Sequence, residues 1–192
     1  MQLENSFEVD APKAQAWDLL LDIEKVVPCM PGAELTETID DTHWKAQLAV
    51  KLGPISLSFD TDVERSEVDE AAGRTVMNAK AREVRGRGGA QATITSSLTE
   101  EAGGTRIDIT TDLTMSGAVA QYGRGIVQDV SAQLVTQFGE CIAAQLAGSE
   151  EEAQAAVEES AKPVSGMSVG FNAMGRSIKR FFAGLFGRGS DD

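Results

Sequence analysis

The sequence predicts an α+β domain in which an antiparallel sheet packs one face against a long C-terminal helix. Six strand-like stretches follow one another between residues 34 and 115, and apolar and polar residues alternate in several of them. Alternation with a period of two indicates a sheet with one covered face and one solvent-exposed face. The cover comes next in the chain, because residues 117–147 show the apolar stripe of a long amphipathic helix.

The N-terminal part of the chain predicts one strand and one helix. Residues 1–10 alternate in polarity and suit a short strand. We expect Asp10 to cap a helix that has Pro12 in its first turn. The segment VVPCMPG at residues 26–32 ends this helix, because two prolines and a glycine cannot continue it. Its apolar side is expected to consist of Trp17, Leu20, Leu21, Ile23 and Val27.

The six following strands are separated by turns rich in Gly, Pro and Asp. Their predicted limits are Glu34–Ile39, His43–Leu52, Ile55–Glu64, Arg74–Ala81, Gly89–Leu98 and Arg106–Met115. The stripe of the long helix is expected to contain Val119, Tyr122, Ile126, Val127, Val130, Leu134, Phe138, Cys141, Ile142 and Leu146.

The composition limits the class of protein. A chain of 192 residues suits one domain with an extension, and its net charge of −13 argues against a nucleic-acid partner. No run approaches the roughly 18 apolar residues of a membrane-spanning helix. The first ten residues lack the basic and apolar regions of a secretory signal. Cys29 and Cys141 are far apart, offer no disulfide framework and are typical of a reducing cytoplasm.

Two segments follow the predicted domain. Residues 148–170 are acidic, rich in Ala and Ser, and nearly free of large apolar residues, which predicts a flexible linker. Residues 171–187 predict an amphipathic helix whose basic face lies opposite an aromatic face, as in helices that bind membrane surfaces. The alternative is a helix that packs on the protein's own core or on a partner.

Because anionic lipid repels an acidic body, we expect the basic tail to make the membrane contact. This predicts a cytoplasmic protein that is peripheral at the inner face of the cell membrane. The residues expected to contact the membrane are Phe171, Met174, Arg176, Ile178, Lys179, Arg180, Phe181, Phe182, Leu185 and Phe186.

The order of one strand, short helices, six strands and a long helix resembles the helix-grip fold of the START/Bet v 1-like (SRPBCC) superfamily. Four motifs resemble the family of the carbon monoxide dehydrogenase G subunit (CoxG): VPCMPGAE at 27–34, GPI at 53–55, MSG at 115–117 and QYGR at 121–124. The resemblance spans roughly residues 1–147. It implies a curved sheet wrapped on the long helix around an apolar cavity. It also implies an accessory, non-catalytic partner for a molybdenum-containing carbon monoxide dehydrogenase or a related hydroxylase.

Cavities of this fold bind lipids, sterols and aromatic ligands, so the apolar residues facing the cavity are candidate ligand contacts. The alternative is that the same side chains form a packed core. Tyr122 is the chain's only tyrosine, and its hydroxyl could orient a ligand. The predicted ligand-binding residues are Trp44, Leu48, Leu57, Phe59, Met77, Ile94, Leu113, Met115, Tyr122, Ile126 and Val130.

The sequence offers little for catalysis. A Cys29–His43 nucleophile and base pair lacks a third orienting group, and two cysteines with one histidine make a poor metal site, so no catalytic residue and no metal are predicted. Arg82, Arg85 and Arg87 form a basic cluster in a glycine-rich hairpin. They are either solvated residues at the rim of the sheet or contacts for an acidic partner or a lipid headgroup.

Together these features predict a non-enzymatic adaptor and carrier. It would bind a quinone, either menaquinone or ubiquinone, with no covalent cofactor, and link the hydroxylase to the membrane respiratory chain. One alternative is a membrane anchor or assembly chaperone that transfers no ligand. Another is a small-molecule enzyme that uses the cavity.

Overall fold

The computed structural model describes residues 1–52 and 55–148. Apart from Gly148, the predicted linker at 148–170 and the predicted membrane helix at 171–187 lie outside the described residues, so the proposed division of the chain stays a prediction. The strands are β1 (Gln2–Val9), β2 (Ala33–Thr38), β3 (His43–Leu52), β4 (Ile55–Asp69), β5 (Arg74–Glu83), β6 (Gly88–Glu101) and β7 (Gly104–Gly117). The helices are α1 (Lys13–Leu21), α2 (Ile23–Val26) and α3 (Arg124–Leu146), with 3₁₀ turns at Val27–Cys29 and Ala118–Gln121.

The strands form one seven-stranded antiparallel sheet in the order β1-β7-β6-β5-β4-β3-β2. Consecutive strands from β2 to β7 are neighbours, and β1 closes against β7, which agrees with the meander that the sequence pattern predicts. Two bulges interrupt the pairing, between Leu35 and Glu37 and between Arg65 and Glu67. β4 extends to Asp69 instead of ending at Glu64, because its pairing with β5 resumes beyond the second bulge.

Helix α3 packs on the sheet in two apolar clusters. The cluster around its C-terminal half includes Phe138, Cys141 and Ile142 and draws on β1, α1, β6 and β7. There the ring of Phe138 meets that of Phe7 edge to face, with centroids 5.7 Å apart. The cluster around its N-terminal half consists of Val50, Leu57, Phe59, Val119 and Val130. Both halves of α3 therefore pack against the sheet.

Three local predictions need correction. The structure joins Cys29 and Cys141 in a disulfide with a Cα–Cα separation of 5.4 Å, so the two cysteines are not free thiols. They lie 112 residues apart in sequence, and only the packing of the 3₁₀ turn at Val27–Cys29 against α3 brings them together. Asp10 does not cap α1, which begins after Pro12 without a side-chain cap. The long helix begins at Arg124, because a 3₁₀ turn precedes it.

Candidate ligand-binding site between the sheet and the long helix

Small side chains line the centre of the sheet face that looks towards α3. Cross-strand pairing places them in two neighbouring rows, Ala46–Thr61–Ala81–Ala90–Met115 and Trp44–Val63–Ala79–Ala92–Leu113. All of these residues except Trp44 stay partly exposed although they face inward. We call the space above these two rows the inner hollow.

The position of α3 leaves few helix contacts at the centre of the sheet. α3 packs most extensively on β1, at one edge of the sheet, and its clusters draw on the two ends of the inner face. Alanine side chains are too short to bridge a layer spacing of about 10 Å between packed elements. Ala81 and Met115 pack against the cluster around the N-terminal half of α3, whereas Ala46, Ala79, Ala90 and Ala92 belong to neither apolar cluster.

Among the residues of the two rows, Thr61 is the one with a hydroxyl side chain. Its Oγ1 is buried and has no hydrogen-bond partner among the described residues. A buried hydroxyl without a partner costs about 1–3 kcal/mol, so the apo protein leaves a polar group unsatisfied at this position. The oxygen is shielded from contact in this conformation, so a carbonyl of a bound molecule could accept a hydrogen bond from it only after the Thr61 side chain rotates towards the hollow.

One end of the inner hollow is closed by a buried ion pair. Glu83 is 2% exposed and faces Phe59 across the β4–β5 pairing. Its carboxylate accepts hydrogen bonds from the Arg87 guanidinium at 2.8 Å and from the backbone N–H groups of Arg85 and Arg87. Chiefly because of the hydrogen bond from Arg87, the pKa of Glu83 falls to about 2. The pair is ionised at neutral pH and fixes the β5–β6 hairpin.

The other end is marked by Arg65, which follows the inner rows on β4. Its guanidinium lies 4.9 Å from the centre of the Trp44 ring, within the range of a cation–π contact. It also donates a hydrogen bond of 2.6 Å to the carbonyl of Leu21, at the C-terminal end of α1, where a positive charge is favourable. Burial lowers the pKa of Arg65.

The separation of the two ends gives the length of the inner hollow. Arg65 and Phe59 lie six residues apart on β4. At about 3.3 Å per residue the ends are roughly 20 Å apart. This length suits a ring system with a short apolar tail.

The predicted ligand contacts fall into three groups. Trp44, Leu57, Phe59 and Val130 are buried, and the last three belong to the cluster around the N-terminal half of α3. The partly exposed residues on the inner face or at the edge of that cluster are Leu48, Met77, Ile94, Leu113, Met115 and Tyr122. Ile126 is 46% exposed, one turn before Val130 on α3.

The sequence analysis missed four alanines of the inner hollow, on β5 and β6. Their signal was the A-x-A spacing at Ala79 and Ala81 and again at Ala90 and Ala92, which places four small side chains on one face of two paired strands. Alanine is weakly apolar, so this spacing does not stand out from a solvent-exposed strand. It becomes informative once the inward face is known.

The outer face of the sheet carries a separate groove of about 700 Å³. Its walls are two rows of outward side chains, Lys45–Asp62–Lys80–Gln91–Thr114 and Gln47–Asp60–Arg82–Gly89–Ser116. Its floor is the backbone of the intervening residues. The wall side chains are mostly polar and lie on the opposite side of the sheet from the inner hollow.

The nucleophile and base pair considered from sequence does not form. Cys29 is held in the disulfide, so it has no thiol to ionise. His43 is exposed, and its Nδ1 lies 2.9 Å from Oδ1 of Asp40. The pKa of Asp40 is lowered, first by the backbone N–H of Thr42 and then by His43. This arrangement stabilises the β2–β3 turn.

The seven-stranded antiparallel sheet and the long C-terminal helix define a helix-grip fold. The sequence profile of the carbon monoxide dehydrogenase G subunit (CoxG) matches residues 6–147, and the chain belongs to this family. A search of the curated proteins found no match. Among the described residues, no helix is both long and apolar enough to cross a membrane.

Solved structures show the same fold at low sequence identity. A conserved protein from Geobacillus kaustophilus is 21% identical with a TM-score of 0.69, and the match covers 78% of this chain and 97% of that one. Ara h 8.0201 is 15% identical with a TM-score of 0.54, covering 77% and 98%. A protein from Chromobacterium violaceum is 11% identical with a TM-score of 0.53, covering 74% and 96%. At these identities the similarity shows the fold alone.

Proposed function

We propose that this protein is a carrier that takes up a quinone, menaquinone or ubiquinone, in the inner hollow and delivers it to a redox enzyme. The observation that carries the proposal is the set of partly exposed alanines on the face towards α3, of which Ala46, Ala79, Ala90 and Ala92 belong to neither apolar cluster. Thr61 adds a buried hydroxyl that could donate to a quinone carbonyl, and Tyr122, half-buried beside the cluster at the N-terminal half of α3, adds a second one.

The family to which the chain belongs suggests the enzyme partner. Its name refers to carbon monoxide dehydrogenase, so we propose a molybdenum-containing carbon monoxide dehydrogenase or a related hydroxylase. Such an enzyme must pass its electrons to an acceptor. A quinone dissolved in a bilayer is out of reach for a soluble enzyme unless a carrier or adaptor brings the two together.

We further propose that the protein has no catalytic activity of its own. The charged groups at the ends of the inner hollow are tied to protein partners, Glu83 to Arg87 and Arg65 to the Leu21 carbonyl. A general acid or base needs a free hydrogen-bonding position towards its substrate and a pKa near the working pH. Glu83, with a pKa of about 2, does not meet this requirement.

We propose that the predicted helix at 171–187 holds the carrier at the membrane. Replacing Phe181 and Phe182 with Glu should abolish sedimentation with anionic liposomes, whereas higher salt should only weaken it. The reason is that burial of several large apolar side chains, at about 1.5–3 kcal/mol each, exceeds about 1 kcal/mol for each basic residue. Unchanged sedimentation of the double variant would refute the role of the tail.

The outer groove favours a second candidate function, that of an adaptor or assembly chaperone without ligand transfer. Its polar walls and a volume of about 700 Å³ would suit a protein segment of the hydroxylase. In that case the inner hollow would serve only to accommodate the packing of α3.

Two measurements separate these functions. Native mass spectrometry and organic extraction of the purified full chain should yield a lipophilic molecule from a carrier and none from a plain adaptor. Titration with short-chain menaquinone and ubiquinone analogues should quench the fluorescence of Trp44 in a Trp17→Phe background. The carrier proposal fails if neither analogue binds and extraction yields nothing.

A further inference from the structure

The two ends of the sheet differ strongly in charge. The turns at 39–42, 69–73 and 100–103 lie at one end, which we call the acidic end. These turns contain Asp40, Asp41, Asp69, Glu70, Glu100 and Glu101 and no Lys or Arg. The opposite end, which we call the basic end, is formed by residues 51–52 of β3 and 55–56 of β4, the β5–β6 turn, the 3₁₀ turn at Ala118–Gln121 and the first turn of α3.

At the basic end the exposed charges are positive. Within 51–52, 55–56, 83–88 and 117–126 the only acidic residue is Glu83, which is buried and paired with Arg87. Arg85 and Arg124 are exposed and Lys51 is partly exposed. The basic end is therefore a local exception on a chain with a net charge of −13.

Large apolar side chains are exposed beside these charges. Ile55 is 38% exposed, Val84 50% and Ile126 46%. They come from three segments that are tied together. The Arg87 guanidinium donates to the Ser56 carbonyl at 2.9 Å, and the N–H of Val119 donates to the Arg87 carbonyl at 3.2 Å. These hydrogen bonds fix the segments of Ile55 and Val84, and Val119 shares an apolar cluster with Val130, one turn after Ile126 on α3.

We propose that the basic end is a lipid-docking surface of the folded domain, which inserts Ile55, Val84 and Ile126 into the interface of an anionic bilayer. Apolar side chains rimmed by basic residues match a surface that is negatively charged outside and apolar within. The acidic end is repelled by the same surface and points away from it. This surface is separate from the tail at 171–187.

The docking orientation would place the inner hollow next to the lipid. Ile126 lies one turn before Val130, which belongs to the same apolar cluster as Phe59 at the Glu83 end of the hollow. The docked face would then hold the end of the hollow that the Glu83–Arg87 pair closes close to the lipid. This consequence rests on the proposed carrier function, whereas the docking itself does not require any ligand.

The test uses the full chain with one fluorescent label at each end. Val84→Cys and, as the matched control, Val68→Cys carry an environment-sensitive nitrobenzoxadiazole label; Val68 is 49% exposed at the acidic end, and the native cysteines are held in the disulfide. Vesicles of phosphatidylcholine with about one third phosphatidylglycerol should shift the emission of the label at position 84 to the blue. Lipids with a spin label on the acyl chain should quench that label and leave the one at position 68 unquenched.

Charge variants measure how much the basic residues contribute to vesicle binding. Arg85→Gln with Arg124→Gln removes two charges from the basic end and should weaken vesicle partitioning by roughly thirtyfold at low salt, at about fivefold per charge. Lys13→Gln with Arg74→Gln causes the same change in net charge near the acidic end and should have little effect.

Several outcomes would overturn the inference. One is equal quenching of both labels, and another is an equal loss of partitioning in both charge variants. A third is a label at position 84 that responds to the purified hydroxylase but not to vesicles, because the surface would then bind protein. A last outcome separates this inference from the proposed function. If organic extraction of the protein yields a quinone and the tail causes sedimentation with vesicles, but the label at position 84 stays in water, the carrier function is retained and the docking surface is refuted.

Discussion

Filling the inner hollow from Ala92 is the sharpest test of the proposed site. Ala92 faces α3 in the Trp44–Val63–Ala79–Ala92–Leu113 row, whereas its neighbour Gln91 points into the groove on the outer face. Replacing each in turn with Phe adds the same aromatic ring on opposite sides of one strand. The pair therefore separates an effect on the hollow from an effect on the strand.

The expected loss of affinity follows from contact area. A phenyl ring in the hollow would exclude a bound ring from about 100 Å² of apolar contact, which is worth about 2.5 kcal/mol at 25 cal/mol per Å². Ala92→Phe should therefore weaken binding of a short-chain quinone by roughly 70-fold. Gln91→Phe should leave it within about twofold. Quenching of Trp44 fluorescence measures both dissociation constants.

Stability gives an independent reading of the same variants. If the centre of the sheet is hollow, the new ring in Ala92→Phe finds space, and urea denaturation should show a change below about 1 kcal/mol. If that region is packed, inserting a ring should cost about 1–3 kcal/mol or more. A strongly destabilised Ala92→Phe beside a neutral Gln91→Phe would refute the reasoning, because the residues facing α3 would then be core.

For three further perturbations the structure predicts the direction of the change in stability, pH dependence or quinone affinity. Cys29→Ala with Cys141→Ala opens a 112-residue loop and should lower the free energy of unfolding, by about 5 kcal/mol at most if the loss is loop entropy. Urea denaturation measures this change. A reductant should destabilise the wild type and leave the double variant unchanged. Glu83 has a pKa lowered from 4.5 to about 2, so its stabilisation is complete above pH 4.5 and is lost as the pH falls towards 2. Acid unfolding of Glu83→Gln should therefore depend less on pH in that window, and an unchanged slope would contradict the assignment. Thr61→Val removes an unsatisfied hydroxyl and should stabilise the ligand-free protein while weakening quinone binding by about 0.5–1.5 kcal/mol. Calorimetry measures the stability and titration measures the quinone affinity. A loss of both stability and affinity would indicate a structural role for Thr61 instead.

The sheet and the long helix could be predicted from sequence because their signals are local. Alternation on β3, β4 and β7, the turn residues between strands and the helical stripe each span a few residues. They select one antiparallel meander with one covered face, and the observed strand order agrees with it.

Features that depend on distant residues could not be predicted in the same way. The Cys29–Cys141 disulfide joins a turn near the N-terminus to α3, and no spacing rule links such positions. Arg65 and Glu83 are charged residues at inward positions, where the sequence pattern predicts apolar side chains. Each is accepted there because a specific partner satisfies it, the Leu21 carbonyl for Arg65 and Arg87 for Glu83.

The distribution of polar groups along the inner face favours a carrier over a catalyst. Among the residues that the structure describes on this face, charged groups stand only at its two ends, and each is bound by the protein itself. Between them the hollow offers alanines and one hydroxyl, that of Thr61. Such a site holds a ligand mainly by apolar contact and directs it by one or two hydrogen bonds, so release requires no charge to be uncovered. A molecule that must be handed from a bilayer to an enzyme needs this kind of reversible binding, whereas chemical activation would require a free, titratable group in contact with it.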